Sequence, residues 1–348
     1  MSVELTPPKF FNTEADKIYK ILAYEDPRCE EYQQKLAALR TFVKSAYALQ
    51  AHRVAIGNRL SANFRTKLGL KPSEKETDDV QAFNVLTAIR KEYKNLTSGI
   101  IDFPRSNEFF KNKTGIITNI AELYLVNSFI EASRIEKEHF NALPDLLAEF
   151  PIYTEFLSKI FGMGSAMAAV IIAEINIYKS KYPSSIERYA GIDTVKLVNP
   201  ETGEIRIEGR GKIKESHLVT REYVAKDGTI KTKKSISYNK FLKTKLVGVL
   251  GPIFIKLGKR INKETGEITY ANIYAKIFDD YKARITAVNA TLPNPRTKAH
   301  INMMANRYMI KSFIRDLYKV WRPMEGLTPH PTYSEAKLGH VHNSPSNE

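Results

Sequence analysis

The segment Phe161-Gly162-Met163-Gly164-Ser165-Ala166-Met167 has residue types suited to holding a phosphate. Its two glycines permit positive backbone angles and let another backbone come close. Ser165 can cap a helix that starts there. The first amides of such a helix point outward unpaired, with the positive end of the helix dipole behind them. Apolar helical sequence from Tyr153 to Ile160 comes first, so the stretch reads as a helix–hairpin–helix that grips nucleic-acid backbones. It also reads as an ordinary tight turn between two core helices. A second set of cations, Arg307, Lys311, Arg315 and Lys319, falls at steps of four and makes one slowly drifting row on a helix. Such a row can track phosphates or simply face water. A third set is interleaved with His217 and Tyr223: Arg206, Arg210, Lys212, Lys214, Arg221, Lys226, Lys231, Lys233 and Lys234. Basic ribbons with an aromatic can lie in a groove or along a single strand, although lysines also guard free sheet edges.

The charge is unevenly spread. The chain of 348 residues carries a net +15; residues 1–150 hold 21 basic and 20 acidic side chains, and residues 151–348 hold 32 and 18. Nearly all the excess therefore lies on the side of the chain that contains the glycine turn. That is the footprint expected of a polyanion partner, bound more weakly as salt rises. The residues expected to contact DNA, mainly through its backbone, are Gly162, Gly164, Ser165, Arg210, Lys212, Lys214, Arg307, Lys311, Arg315 and Lys319.

Other chemistry is scarce. Ser216 precedes His217, which could serve as a base, but neighbours on a strand point to opposite faces. Asp279-Asp280 and His340-Val341-His342 are the remaining clusters with metal-ligand chemistry, and the first reads as a helix surface pair and the second as tail. There is no phosphate-binding P-loop and no HExxH pair. No cofactor is evident; Mg²⁺ is expected only if the chain is catalytic. The single cysteine, Cys29, excludes an internal disulfide and a cysteine zinc site and fits a reducing compartment. With no leader-like start and no apolar run of roughly 20 residues, a cytoplasmic, nucleoid-associated protein with no membrane partner is expected.

The elements that must position these residues are mostly helices. Residues 14–66 read as helix, with Leu36, Leu39, Phe42, Val43, Ala46 and Leu49 on one stripe and Pro27 interrupting the first part. Further helices are expected near Val80–Leu96, Thr114–Ala142, Leu242–Leu257, Ala271–Ala290 and Ala299–Trp321. Hairpins are expected around Val198–Ile207 and Leu218–Ser237, the latter turning at Asp227-Gly228. The turn at Asn262–Glu267 reads as a loop between helices. The fold class is mainly α with a small β-hairpin insertion (α+β). It divides into a helical domain over 1–148, a DNA-binding domain over 149–325 and an extended tail over 326–348.

The order of several segments then carries a resemblance. Gly162-Met163-Gly164 through Ala173-Glu174-Ile175 is followed by Ile186-Glu187-Arg188-Tyr189-Ala190-Gly191-Ile192, by Tyr238-Asn239 with Leu242–Leu246, and by Ala299-His300-Ile301 through Trp321-Arg322. Over roughly residues 150–322 this resembles the carboxy-terminal domain of the DEDD-type insertion-sequence transposases, the "one-ten" family. The resemblance implies a DNA-binding role in transposition or site-specific recombination, with cutting and rejoining of strands. In that family a RuvC-like nuclease domain holds Mg²⁺ on four carboxylates and a serine in a Ser-Gly context acts as nucleophile. Here residues 1–150 read as helix, with Asp102 in a loop, and the Ser-Gly is missing; Ser216, Ser235 and Ser237 are the serines nearby. A non-catalytic nucleic-acid-binding accessory protein derived from such a transposase is the alternative. Participation of an RNA guide and an oligomeric state are left open.

Overall fold

The computed structural model describes residues 27–67, 69, 79–100, 102–198, 202–203, 205–209, 218–332 and 335. Two compact units emerge, one formed by Thr41–Pro144 and the other by the residues before Thr41 together with those from Asp145 on. The division falls at Pro144, near the expected boundary at residue 148, while residues 27–40 go with the second unit.

The Thr41–Pro144 unit is helical. It contains most of helix α1 (Pro27–Lys67), α2 (Asp79–Thr97) and α3 (Ile120–Asn141). The stripe read from the sequence is real, since Leu36, Leu39, Val43 and Ala46 are all buried; the described helix starts at Pro27, and the expected helical residues before it lie outside the described residues. Ile56, Leu60, Phe64, Ile89, Leu123, Val126 and Phe129 form this unit's core. A Cβ on Gly57 would come within 2.9 Å of the Phe129 ring, so glycine sets how closely α1 meets α3. The third helix starts later than its periodicity predicts. The amides of Ile116 and Ile117 donate to the Glu92 carboxylate at 2.8 and 3.0 Å, and that of Thr118 donates to Glu122 at 2.8 Å. Those donors are held outside the helix, which begins only after the Asn119 cap.

The other unit is built around α6 (Ser165–Glu174), whose residues from Met167 onward are all buried. It follows α4 (Leu143–Leu147), α5 (Pro151–Glu155) and a 3-10 turn at Leu157–Lys159. A helix apolar on every side belongs inside a core. Its carboxy-terminal end is closed by Arg40, whose Nε donates to the Ala173 carbonyl at 2.8 Å. Beyond it come α7 (Pro183–Tyr189), α8 (Lys240–Lys243), α9 (Gly251–Leu257), α10 (Ile273–Ala290) and α11 (Lys298–Met324). Phe254, Tyr274 and Phe313 stack into one aromatic cluster, with ring centroids 5.2–5.8 Å apart.

Between α8 and α9 the backbone winds as a π-helix over Thr244–Leu250. The cause lies in the sequence. Pro252 has no amide to return to the preceding turn, and the wider register leaves the Val247 carbonyl free of the Gly251 amide, which donates to Leu246 instead. Buried Asn306 fills the gap by donating to Val247 at 2.9 Å. A side chain on Gly251 would collide with it.

Among the described residues, three two-stranded antiparallel hairpins belong to this unit: β1 (Thr194–Val198) with β2 (Ile205–Gly209), β3 (Leu218–Val224) with β4 (Ile230–Ile236), and β5 (Lys259–Ile261) with β6 (Ile268–Tyr270). The first two were expected. The third corrects the reading of Asn262–Glu267 as a loop between helices. Gly203, between β1 and β2, and Gly266, between β5 and β6, take positive φ of 67 and 71. The mainly α class with a small β part holds. The tail differs from expectation: Gly326 ends α11 in a left-handed conformation, and Leu327 and Thr332 are buried. Tyr318 donates to the Lys181 carbonyl and accepts from the His330 amide at 3.2 Å, so residues 326–332 pack back on the unit.

Candidate nucleic-acid interface

The β3–β4 ribbon is the most exposed basic element among the described residues. Its loop, Lys226-Asp227-Gly228, is a three-residue turn with Gly228 at φ 78, closed by the Ala225 amide on the Thr229 carbonyl at 2.8 Å. That loop sets Val219 opposite Ser235, Arg221 opposite Lys233 and Tyr223 opposite Lys231. Directly paired residues share a face, so one face carries Arg221, Lys231 and Lys233 beside an exposed tyrosine. Lys231 is held 3.1 Å from Asp227. Arg221 and Lys233, like charges directly opposed, make a pairing that costs stability unless an anion sits over it. At the tip, Val224 and Ile230 are each 71% exposed. Seven-residue strands span about 23 Å, and a two-stranded ribbon fits the major groove of B-DNA.

The glycine turn is built as the sequence suggests in one respect. The Met163 amide donates to Ile160 at 2.9 Å and Gly162 takes φ 92, the turn position that demands glycine. Its Phe161 carbonyl accepts from Asn272 at 2.8 Å. Two details differ. Gly164, at φ −80, is itself the N-cap, and Ser165 is the first helical residue, so Ser165 does not cap α6. A Cβ on Gly164 would meet open space. The same substitution should therefore act oppositely at the two glycines. Gly162→Ser forces a left-handed angle on a side chain and should cost about 1–2 kcal/mol, whereas Gly164→Ser should be neutral or stabilise by up to about 1 kcal/mol. Denaturant unfolding measures both. If the turn cradles a phosphate, the folded Gly164→Ser protein should also bind DNA more weakly.

The basic row on α11 is largely neutralised inside the unit. Glu187, a buried side chain of α7, accepts from Arg315 and pairs with Lys311, each at 3.3 Å. Lys319 pairs with Glu335 at 2.8 Å. Burial alone would raise the Glu335 pKa, but Lys319 and the Thr332 amide and hydroxyl outweigh it and hold the carboxyl down to about 2. Arg307 stands apart: its Nε is buried with no hydrogen-bond partner, and its guanidinium lies against Gly209 at the end of β2.

Segments distant in sequence meet near α7. Gly191 and Ile192 close that helix by donating to Arg188 and Glu187 at 3.1 and 3.0 Å, with Gly191 at φ 66. The Tyr238 ring lies so close to Gly191 that a side chain there would collide with it. Asn239 donates to Glu174 at 2.5 Å and to the Tyr189 hydroxyl at 2.9 Å, and its own amide donates to the Tyr189 carbonyl at 2.8 Å. Lys243, one helical turn on, has its Nζ 4.9 Å from the Tyr238 ring centroid. Desolvation and then the nearby Arg307 push its pKa down to about 8, against the pull of Asp193. Sequence reasoning passed over Lys243 and Glu187, because partners this far apart leave no local pattern.

Arg210, Lys212, Lys214 and Ser216 lie outside the described residues, as do His340 and His342. Asp279 is engaged by Lys259 at 2.7 Å and Tyr270 at 3.0 Å, and Asp280 by Lys276 at 2.8 Å. Asp102 is an exposed loop residue. Among the described residues no three His, Cys, Asp or Glu side chains come together to hold a metal ion, and no strand occurs between residues 41 and 144. The four-carboxylate magnesium site implied by the resemblance therefore does not fit the described part of that unit. No helix among the described residues is long and apolar enough to cross a membrane. No protein-family model, curated protein or solved structure matches this chain.

Proposed function

We propose that this chain binds duplex DNA through phosphate contacts, as its resemblance to transposases implies, with the β3–β4 ribbon as the principal contact. The observation that carries this reading is the cross-strand pairing of Arg221 with Lys233 on an exposed face beside Tyr223. A place in DNA transposition or recombination comes from the resemblance alone. Binding is the activity that the described residues support; cutting and rejoining of strands is implied by the resemblance alone.

Fluorescence anisotropy with a labelled duplex across a salt series tests it. The wild-type chain should bind with steep salt dependence. The Arg221→Gln/Lys233→Gln protein should lose about two units of the log–log salt slope, roughly 0.9 per phosphate contact. It should also be more stable by a few tenths of a kcal/mol, roughly the cross-strand repulsion removed. Unchanged affinity and slope in this folded protein would overturn the ribbon's role.

A further inference from the structure

Most of the α11 row is accounted for by carboxylates, but Arg307 is not. None of the ion pairs that hold its neighbours includes it, and its Nε is buried and unsatisfied. A buried donor without a partner is costly, and an ion that belongs there is one of the few explanations. Its surroundings sharpen the case. The guanidinium rests against Gly209, which pairs with Thr194 across the β1–β2 ladder. Asp193 precedes Thr194 in the chain, and Lys243 lies over the Tyr238 ring, which packs on Gly191 two residues before Asp193; the charges of Arg307 and Asp193 both act on it. Two cations and one carboxylate thus converge where the first hairpin leaves the helices. The two cations suit an anion such as a phosphodiester. Arginine supplies a planar fork of donors for its oxygens, and lysine a mobile point charge.

We propose that Arg307 and Lys243 form a binding site for a phosphate group at the base of the β1–β2 hairpin. Gly209 is part of it, since a side chain there would displace the guanidinium. The site stands on its own geometry; only the assignment of its phosphate to a DNA backbone rests on the function proposed above.

Isothermal titration of the full chain with inorganic phosphate at pH 7 and low chloride tests the site directly. One phosphate should bind. Its affinity should fall at least about tenfold in Arg307→Gln, in Lys243→Met and in Gly209→Ala, which keeps every charge. It should be unchanged in Lys319→Gln, and circular dichroism checks that each protein is folded. Wild-type chain that takes up no phosphate, or folded variants that bind it like wild type, would overturn the site. A parallel anisotropy titration with duplex separates the sources. Loss of duplex affinity in the same variants assigns the phosphate to the DNA backbone. Phosphate binding that is lost while duplex affinity is kept assigns the site to a free phosphate. A wild-type chain that binds phosphate but no duplex leaves the site standing and removes the DNA reading.

Discussion

Replacing Arg322 with methionine should lower the unfolding free energy by about 3–5 kcal/mol, the cost of breaking a buried charged network. Arg322 is fully buried near the end of α11. Its Nε donates to the Thr328 carbonyl at 2.9 Å, and its Nη1 donates to Ile177 and Ser180 at 3.3 and 3.0 Å. Three carbonyls from two separate segments thus accept from one side chain. A methionine fills part of the volume and takes the donor from the Thr328 and Ser180 carbonyls, each at a cost of about 1–3 kcal/mol before relaxation, while the Ile177 carbonyl keeps the Ser180 amide at 3.1 Å. Lysine should rescue little, because a single ammonium cannot span a fork of carbonyls. The packed residues 326–332 should loosen in the same variant. Hydrogen exchange at the Leu327 amide, which donates to the Arg322 carbonyl at 2.8 Å, would report it. A methionine variant within about 1 kcal/mol of wild type would mean that water reaches those carbonyls.

What could be read from the sequence follows from the range of the forces involved. The α1 stripe was legible because Leu36, Leu39, Val43 and Ala46 report one face at local spacing. The turn at Gly162 was legible because a positive angle needs glycine. The β5–β6 hairpin was missed because three-residue strands, mostly exposed, carry too little alternation to read. The start of α3 was misplaced because Glu92, more than twenty positions upstream, takes the amides of Ile116 and Ile117. The cationic residue types of the candidate interface were legible, but their state was not. Glu187 and Arg315 lie 128 positions apart, and nothing local marks them as partners. The ribbon shows the same limit within one hairpin. A two-residue turn at Asp227-Gly228 would set Arg221 against Lys234, whereas the three-residue loop sets it against Lys233. A shift of one residue in register changes which side chains share a face.

Glu187→Gln should destabilise the protein by about 2–3 kcal/mol, below the full cost of an unpaired buried charge because Lys311 and Arg315 keep partial contact with water. The glutamine has the shape of glutamate, so the loss reports charge and not packing. The Glu187 side chain is 9% exposed and touches both cations, which are 19% and 24% exposed. Adding Arg315→Gln should recover part of the loss, with a coupling of about 0.5–3 kcal/mol in a double-mutant cycle on denaturant unfolding. The same variant decides what the α11 row does for DNA. With Glu187 in place, Lys311 and Arg315 share one carboxylate and are largely sheltered. Their contribution to a phosphate surface should therefore be small, and duplex affinity at physiological salt should stay within about twofold of wild type. If instead affinity rises by about fivefold or more and the salt slope steepens by about one, Glu187 is holding cations that DNA would otherwise use. The α11 face would then join the ribbon as part of the interface.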